Sequence, residues 1–128
     1  MPLLQLATIV GSALLVLLMG FQASLALGLP LGRFAWGGKY KVLPCNLRRA
    51  SALAIGILGF VLWVFLARGN VAYPGPNPLW VRIFVWLFAA YFLLNTAMNL
   101  VSTSRAERWT MTPVAATLTA SFVAVAMA

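Results

Sequence analysis

The chain has 128 residues, 63% hydrophobic and 8% charged, with nine Lys and Arg against one acidic residue and a formal charge of +8. Soluble domains carry about 25% charged residues, so a water-exposed surface over most of the molecule is excluded. Histidine is absent and Cys45 is the only cysteine. That removes the commonest general base and metal ligand, and any intramolecular disulfide or cysteine-based metal centre, so neither metal nor cofactor is expected.

The length suits one domain, residues 1–128. The first apolar run reaches Gly32 and predicts a helix over about 2–28. No Lys or Arg precedes Arg33, and the run exceeds a signal-peptide apolar region, so a retained helix is expected. A basic loop follows at 29–46. The second helix is expected at 47–68, the third at 78–104 and the fourth at 113–128. Each apolar run, the fourth counted from Arg108, reaches the roughly 20 residues that cross a bilayer core of about 30 Å. In hydrocarbon the backbone must satisfy its own hydrogen bonds, so such runs are helical. The fold class is therefore all-α, a four-transmembrane-helix bundle.

Punctuation supports these spans. Asn77-Pro78 and Thr112-Pro113 each place an N-cap residue before a proline at the first helical position. Gly69-Asn70 suits a helix C-terminus. YPGPNP, residues 73–78, reads as a tight loop.

Basic residues set the expected orientation. Arg33, Lys39, Lys41, Arg48 and Arg49 follow the first helix, and Arg105 and Arg108 follow the third. Arg68 and Arg82 lie at the other end. The positive-inside rule puts the two basic loops in the cytoplasm and both termini outside. Trp63, Trp80, Trp86 and Tyr73 form an outer aromatic belt in this arrangement, and Arg68 or Arg82 is expected to neutralise the carboxylate of Ala128.

Polar residues are few enough to follow singly. Tyr91, Asn95, Asn99 and Ser102 share one face of the third helix, and Gln22 and Ser24 lie at similar depth on the first. Gln5, Thr8 and Ser12 form a second stripe, and Thr117 and Ser121 a third on the last helix. Amides exposed to hydrocarbon leave donors and acceptors unmet, so the face of the third helix is expected to point inward. Their role is either interhelical hydrogen bonding, the ordinary one, or a polar site for a small solute. Ala52, Gly56, Gly59 and Trp63 on the second helix, and Gly11 with Ser12 on the first, suggest close helix approach.

The loop LPLGRFAWGGKYKVLPCNLRR, residues 29–49, is the most individual segment. Gly37-Gly38 demands a turn. Trp36, Lys39, Tyr40, Lys41 and Arg49 suit contact with anionic lipid headgroups. Glu107, the one acid, is expected to accept from Arg33 or Arg48 and so clamp the two basic loops; no partner for catalysis accompanies it. Cys45 lies in LPC, but the lysines before it are wrong for a lipoprotein signal.

Two segments, LGLPLGRFAWGGKYKVLPCNLRRAS (27–51) and MNLVSTSRAERWTMTPV (98–114), resemble a group of small bacterial four-span membrane proteins. The shared elements are an AWGG run, an LPxxLRxxS run and an SxSxxERxxMTP run, over about a third of the chain. The resemblance implies the bacterial inner membrane and carries no activity and no catalytic residues.

The expected function is a non-enzymatic accessory, interaction, or lipid- or small-ligand-binding component of that membrane. Membrane lipids are the expected partners, with a homodimer or larger membrane complex left open and no nucleic acid. The alternative is a small oligomeric channel or transporter for an anion or neutral solute. The first helix lacks the carboxylate of proton-coupled small multidrug exporters, and the third lacks the signature of small fluoride channels.

Overall fold

The computed structural model describes residues 2–71 and 76–128. Four long helices dominate them: α1 (Pro2–Ala26), α2 (Cys45–Arg68), α3 (Leu79–Leu100) and α4 (Arg105–Met127). All four are long and apolar enough to cross a membrane. Even α3, with 22 residues, reaches about 33 Å at 1.5 Å per residue. The all-α four-span bundle is thus observed. Residues 73–75 of the expected loop 73–78, Tyr73 among them, lie outside the described residues.

Helix ends show where local sequence competes with proline. α1 stops at Ala26 because Gly28 takes a φ of 86°. The Leu29 N–H then donates to the Ser24 carbonyl at 3.1 Å, a left-handed glycine closure. α2 ends similarly, but its left-handed residue is Asn70, with φ 65°, and the Val71 N–H donates to Leu66 at 2.9 Å. Gly69 serves space instead: a Cβ there would lie 2.8 Å from the Thr8 hydroxyl.

The expected bounds of three helices are corrected. α2 starts at Cys45, two residues early. α3 starts at Leu79 with Pro78 as its cap residue and ends at Leu100, so Ser102 lies beyond it. Asn77 closes the α2 terminus instead: its amide donates to the Ala67 carbonyl at 2.9 Å. The largest correction concerns α4, which begins at Arg105, not 113, and contains Pro113 internally. Ser104 is its N-cap and Glu107 stands three residues on. This Ser-x-x-Glu pattern nucleates a helix, whereas an internal proline removes one backbone bond and is tolerated in membrane helices.

The tight core occupies the half of the bundle away from the basic loops. Leu15, Phe65, Val85, Leu118 and Phe122 are fully buried there. Phe65 stacks on Phe122 at 4.3 Å. Gly11 makes this stack possible, since a Cβ at that position would come within 2.5 Å of the Phe65 ring. The expected small-residue face of α2 does not pack in this way. Ala52 and Gly56 are exposed, and Gly59 would meet only Met19, at 3.8 Å. Arg68 closes the same end, donating to the Ala126 carbonyl at 3.2 Å and to the main-chain oxygen of Ala128. Arg68, rather than Arg82, is therefore the arginine that reaches Ala128.

α1 packs along α2, and α3 along α4, whereas α2 and α3 touch over a short length. Their contact is aromatic and lies toward the tight end. Trp63 stacks on Trp80 at 5.7 Å, and Phe60 meets Phe84 edge-on at 5.7 Å. Toward the basic end the two helices separate, and that divergence creates the candidate site.

Candidate functional site

A cavity of about 480 Å³ fills the space between the diverging helices. Ligand sites span about 300–1,000 Å³, so the size is that of a small-molecule or lipid-segment site. All four helices contribute to its wall. Val61, Phe88 and Leu118 form the floor, directly above the tight core. Phe34, on a single 3-10 turn at Gly32–Phe34, lines the opposite end and packs edge-on against Phe21 at 6.5 Å. The side of the cavity opens between α2 and α3. Ile57 and Tyr91 both line it, yet they are 55% and 56% exposed.

The wall is apolar along its length and polar near the basic end. Gln22, Tyr91, Asn95, Asn99 and Glu107 all line the cavity. Three of them form a ladder along α3. The Asn99 amide donates to the Asn95 carbonyl oxygen at 2.7 Å, and the Asn95 amide to the Tyr91 hydroxyl at 3.4 Å. These bonds run within one helix, one turn apart, and do not join two helices. Interhelical hydrogen bonding, the ordinary reading of such a stripe, is therefore corrected for these residues. An amide offers two donors and an acceptor with two lone pairs, so the ladder leaves hydrogen-bonding capacity for a guest.

Ser102, expected on the same stripe, is buried just beyond α3 and serves the carboxylate. Its hydroxyl donates to Glu107 Oε1 at 2.5 Å and accepts from the Ser104 N–H at 3.2 Å. The Glu107 N–H in turn donates to the Ser104 hydroxyl at 3.3 Å. Glu107 is thus held by the start of its own helix, where a carboxylate also meets the positive end of the helix dipole.

The two basic loops do meet, but through different groups from those expected. The Ser104 hydroxyl donates to the main-chain carbonyl of Arg33 at 2.7 Å. A Cβ on Gly38 would lie 2.5 Å from the Ser104 side chain, and Gly37 and Gly38 both take positive φ, 71° and 72°. The Arg33 guanidinium instead lies 4.8 Å from the centre of the Phe34 ring. The Arg48 side chain donates to the Ala26 carbonyl at 3.0 Å, which ties α2 to the end of α1. The ion-pair clamp of Glu107 with Arg33 or Arg48 is replaced by a hydroxyl–carbonyl bond, because Ser104 is nearer the loop and Glu107 faces the cavity.

The headgroup candidates occupy the same end. Trp36, Lys39, Lys41 and Arg49 are exposed, and Tyr40 is half-buried. The main chain of that loop is fixed by the Gly32 N–H donating to the Lys41 carbonyl at 2.9 Å. A Cβ on Gly32 would lie 2.0 Å from the Tyr40 carbonyl oxygen, so only glycine fits. Of the other polar residues, Thr8 and Ser121 are buried, whereas Gln5 and Thr117 are exposed.

Sequence reading missed Phe34, Ala54, Ile57 and Met111 as cavity residues, because apolar side chains carry no individual signal in an apolar chain. It also missed Ser104, although Ser-x-x-Glu at 104–107 was a usable signal.

Four spanning helices around a laterally open, polar-ended cavity define a small multi-pass integral membrane protein. Comparison with protein families, with curated proteins and with solved structures found no match for this chain.

Proposed function

We propose that this protein is a non-enzymatic, lipid- or small-ligand-binding component of the bacterial inner membrane, with its basic loops in the cytoplasm. The observation that carries the reading is the lateral opening of the cavity between α2 and α3, with its polar residues gathered at one end. Water-soluble guests enter through an aqueous mouth, whereas this cavity opens sideways between two apolar helices long enough to cross a membrane. A guest with an apolar body and a polar head matches both parts. The excess of bases at one end, and the resemblance of the two loop segments to small bacterial membrane proteins, support the location and orientation. The floor argues against a channel formed by one chain: beyond Leu118 the bundle is filled by Phe65 and Phe122, both fully buried.

The test is Ala54→Trp, which places an indole in the cavity wall from α2. The protein is purified in mild detergent with added phospholipid, and retained lipid is counted by native mass spectrometry. The wild type is expected to hold one lipid through detergent exchange and the variant none. Equal retention by both refutes the groove as the lipid site.

A further inference from the structure

The chemistry of the polar end assigns a class to the guest. We infer that the cavity seats an aminophospholipid, with its primary ammonium on Glu107 and its phosphate toward Arg33. This rests on the lipid-binding reading above and specifies the headgroup.

Glu107 is the one acidic side chain in a chain of net charge +8, and it lines the cavity. Its hydrogen-bonding partner is a neutral hydroxyl, Ser102, on one carboxylate oxygen. Among the described residues no arginine donates to Glu107: Arg48 bonds the Ala26 carbonyl, Arg33 lies over Phe34, Arg108 lies 5.9 Å from the centre of the Trp109 ring with its Nε buried and unpartnered, and Arg105 is exposed. A carboxylate beside an apolar cavity gains most from a cation that brings N–H donors, because Coulomb attraction rises as water is excluded. A primary ammonium supplies three donors, enough for the carboxylate and for an amide oxygen of the adjoining Gln22 or Asn99.

The second half of the headgroup follows from charge at the rim. Arg33 lies 4.8 Å from the ring of Phe34, which itself lines the cavity. A cation beside one lining residue, Phe34, and a carboxylate on another, Glu107, suit a zwitterion, ammonium inward and phosphate outward. An anionic head without an amine would put its negative charge beside Glu107 without compensation. A single-chain hydrophobic cation would bring no anion to the Arg33 guanidinium, which has only the Phe34 ring beside it. The apolar wall from Ala54 and Ile57 down to Leu118 accepts the start of an acyl chain, and the opening between α2 and α3 lets the rest lie in the bilayer.

The experiment is lipid competition on the purified full chain. Equimolar phosphatidylethanolamine, phosphatidylcholine and phosphatidylglycerol with the same acyl chains are added, and retained lipid is resolved by native mass spectrometry. The wild type should favour phosphatidylethanolamine over phosphatidylglycerol by about tenfold or more, the discrimination at the lower end of what one hydrogen bond to a charged group supplies. Phosphatidylcholine, which keeps the charge but lacks N–H donors, should fall below phosphatidylethanolamine. Glu107→Gln should bring the ratio of phosphatidylethanolamine to phosphatidylglycerol to about one while total lipid is kept, since an amide at that position still accepts from Ser102. Equal retention of all three lipids by the wild type overturns the headgroup assignment, and so does a ratio that survives Glu107→Gln. If lipids are held equally but displaced by Ala54→Trp, the headgroup assignment fails and the groove stands. If the wild type holds no lipid, both fail. The comparison of the three lipids on the wild type decides the matter even if Glu107→Gln does not fold.

Discussion

Ser104→Ala isolates the junction on which the site is built. The hydroxyl accepts from the Glu107 N–H and donates to the Arg33 carbonyl at 2.7 Å. Replacing a serine cap by alanine costs about 1 kcal/mol. The bond to Arg33 is exposed, so the freed carbonyl rehydrates and the loss sits near the lower end of the hydrogen-bond range, about 0.5 kcal/mol. The sum is about 1.5 kcal/mol. The substitution keeps the Cβ that lies against Gly38 and removes only the hydroxyl, which touches the same glycine. Unfolding in mixed micelles by titration with a denaturing detergent measures the difference, with Thr103→Ala, at an exposed neighbour, as the control. Amide hydrogen exchange over residues 32–38 should rise in Ser104→Ala, because the loop loses its tie to α4. A stability change no larger than that of Thr103→Ala, with unaltered exchange in the loop, refutes the junction.

Two further outcomes follow from the same geometry. Gly32→Ala should destabilise by roughly 1–3 kcal/mol, the range for forced overpacking, since its Cβ would collide with the Tyr40 carbonyl; Gly20→Ala, which meets nothing within 4 Å, should be neutral or stabilising, and equal effects in one micellar unfolding assay would contradict the loop geometry. Cys45 is exposed in the first turn of α2 at the basic end. A membrane-impermeant maleimide should label it in inverted inner-membrane vesicles and leave it unlabelled in intact spheroplasts; the reverse pattern would invert the proposed orientation.

The Arg68 terminus shows the limits of pattern at the opposite end. That an arginine would approach Ala128 was legible, because only Arg68 and Arg82 lie there. Which one does so depends on the Asn77 amide, which bonds both the Ala67 carbonyl and, at 3.4 Å, the Arg68 guanidinium. No spacing rule reveals that pairing. The reading of Thr112-Pro113 as a helix start failed for a related reason. A local rule for proline met a stronger local signal eight residues earlier, at Ser104, and a membrane helix tolerates the internal proline.

Sequence by itself determined the solvent, the number of crossings and the gathering of bases at one end. Those follow from one-dimensional quantities: the length of apolar runs against the thickness of hydrocarbon, and the desolvation cost that keeps Lys and Arg out of it. It also brought out Tyr91, Asn95, Asn99 and Glu107 as unusual residues. Only the tertiary structure decided whether they pack dry or face a cavity. That depends on how far α2 and α3 diverge, which is set by the bulk of Trp63, Trp80 and the phenylalanines at the tight end. Packing of side chains distant in sequence fixes that angle, and no periodicity along one helix encodes it.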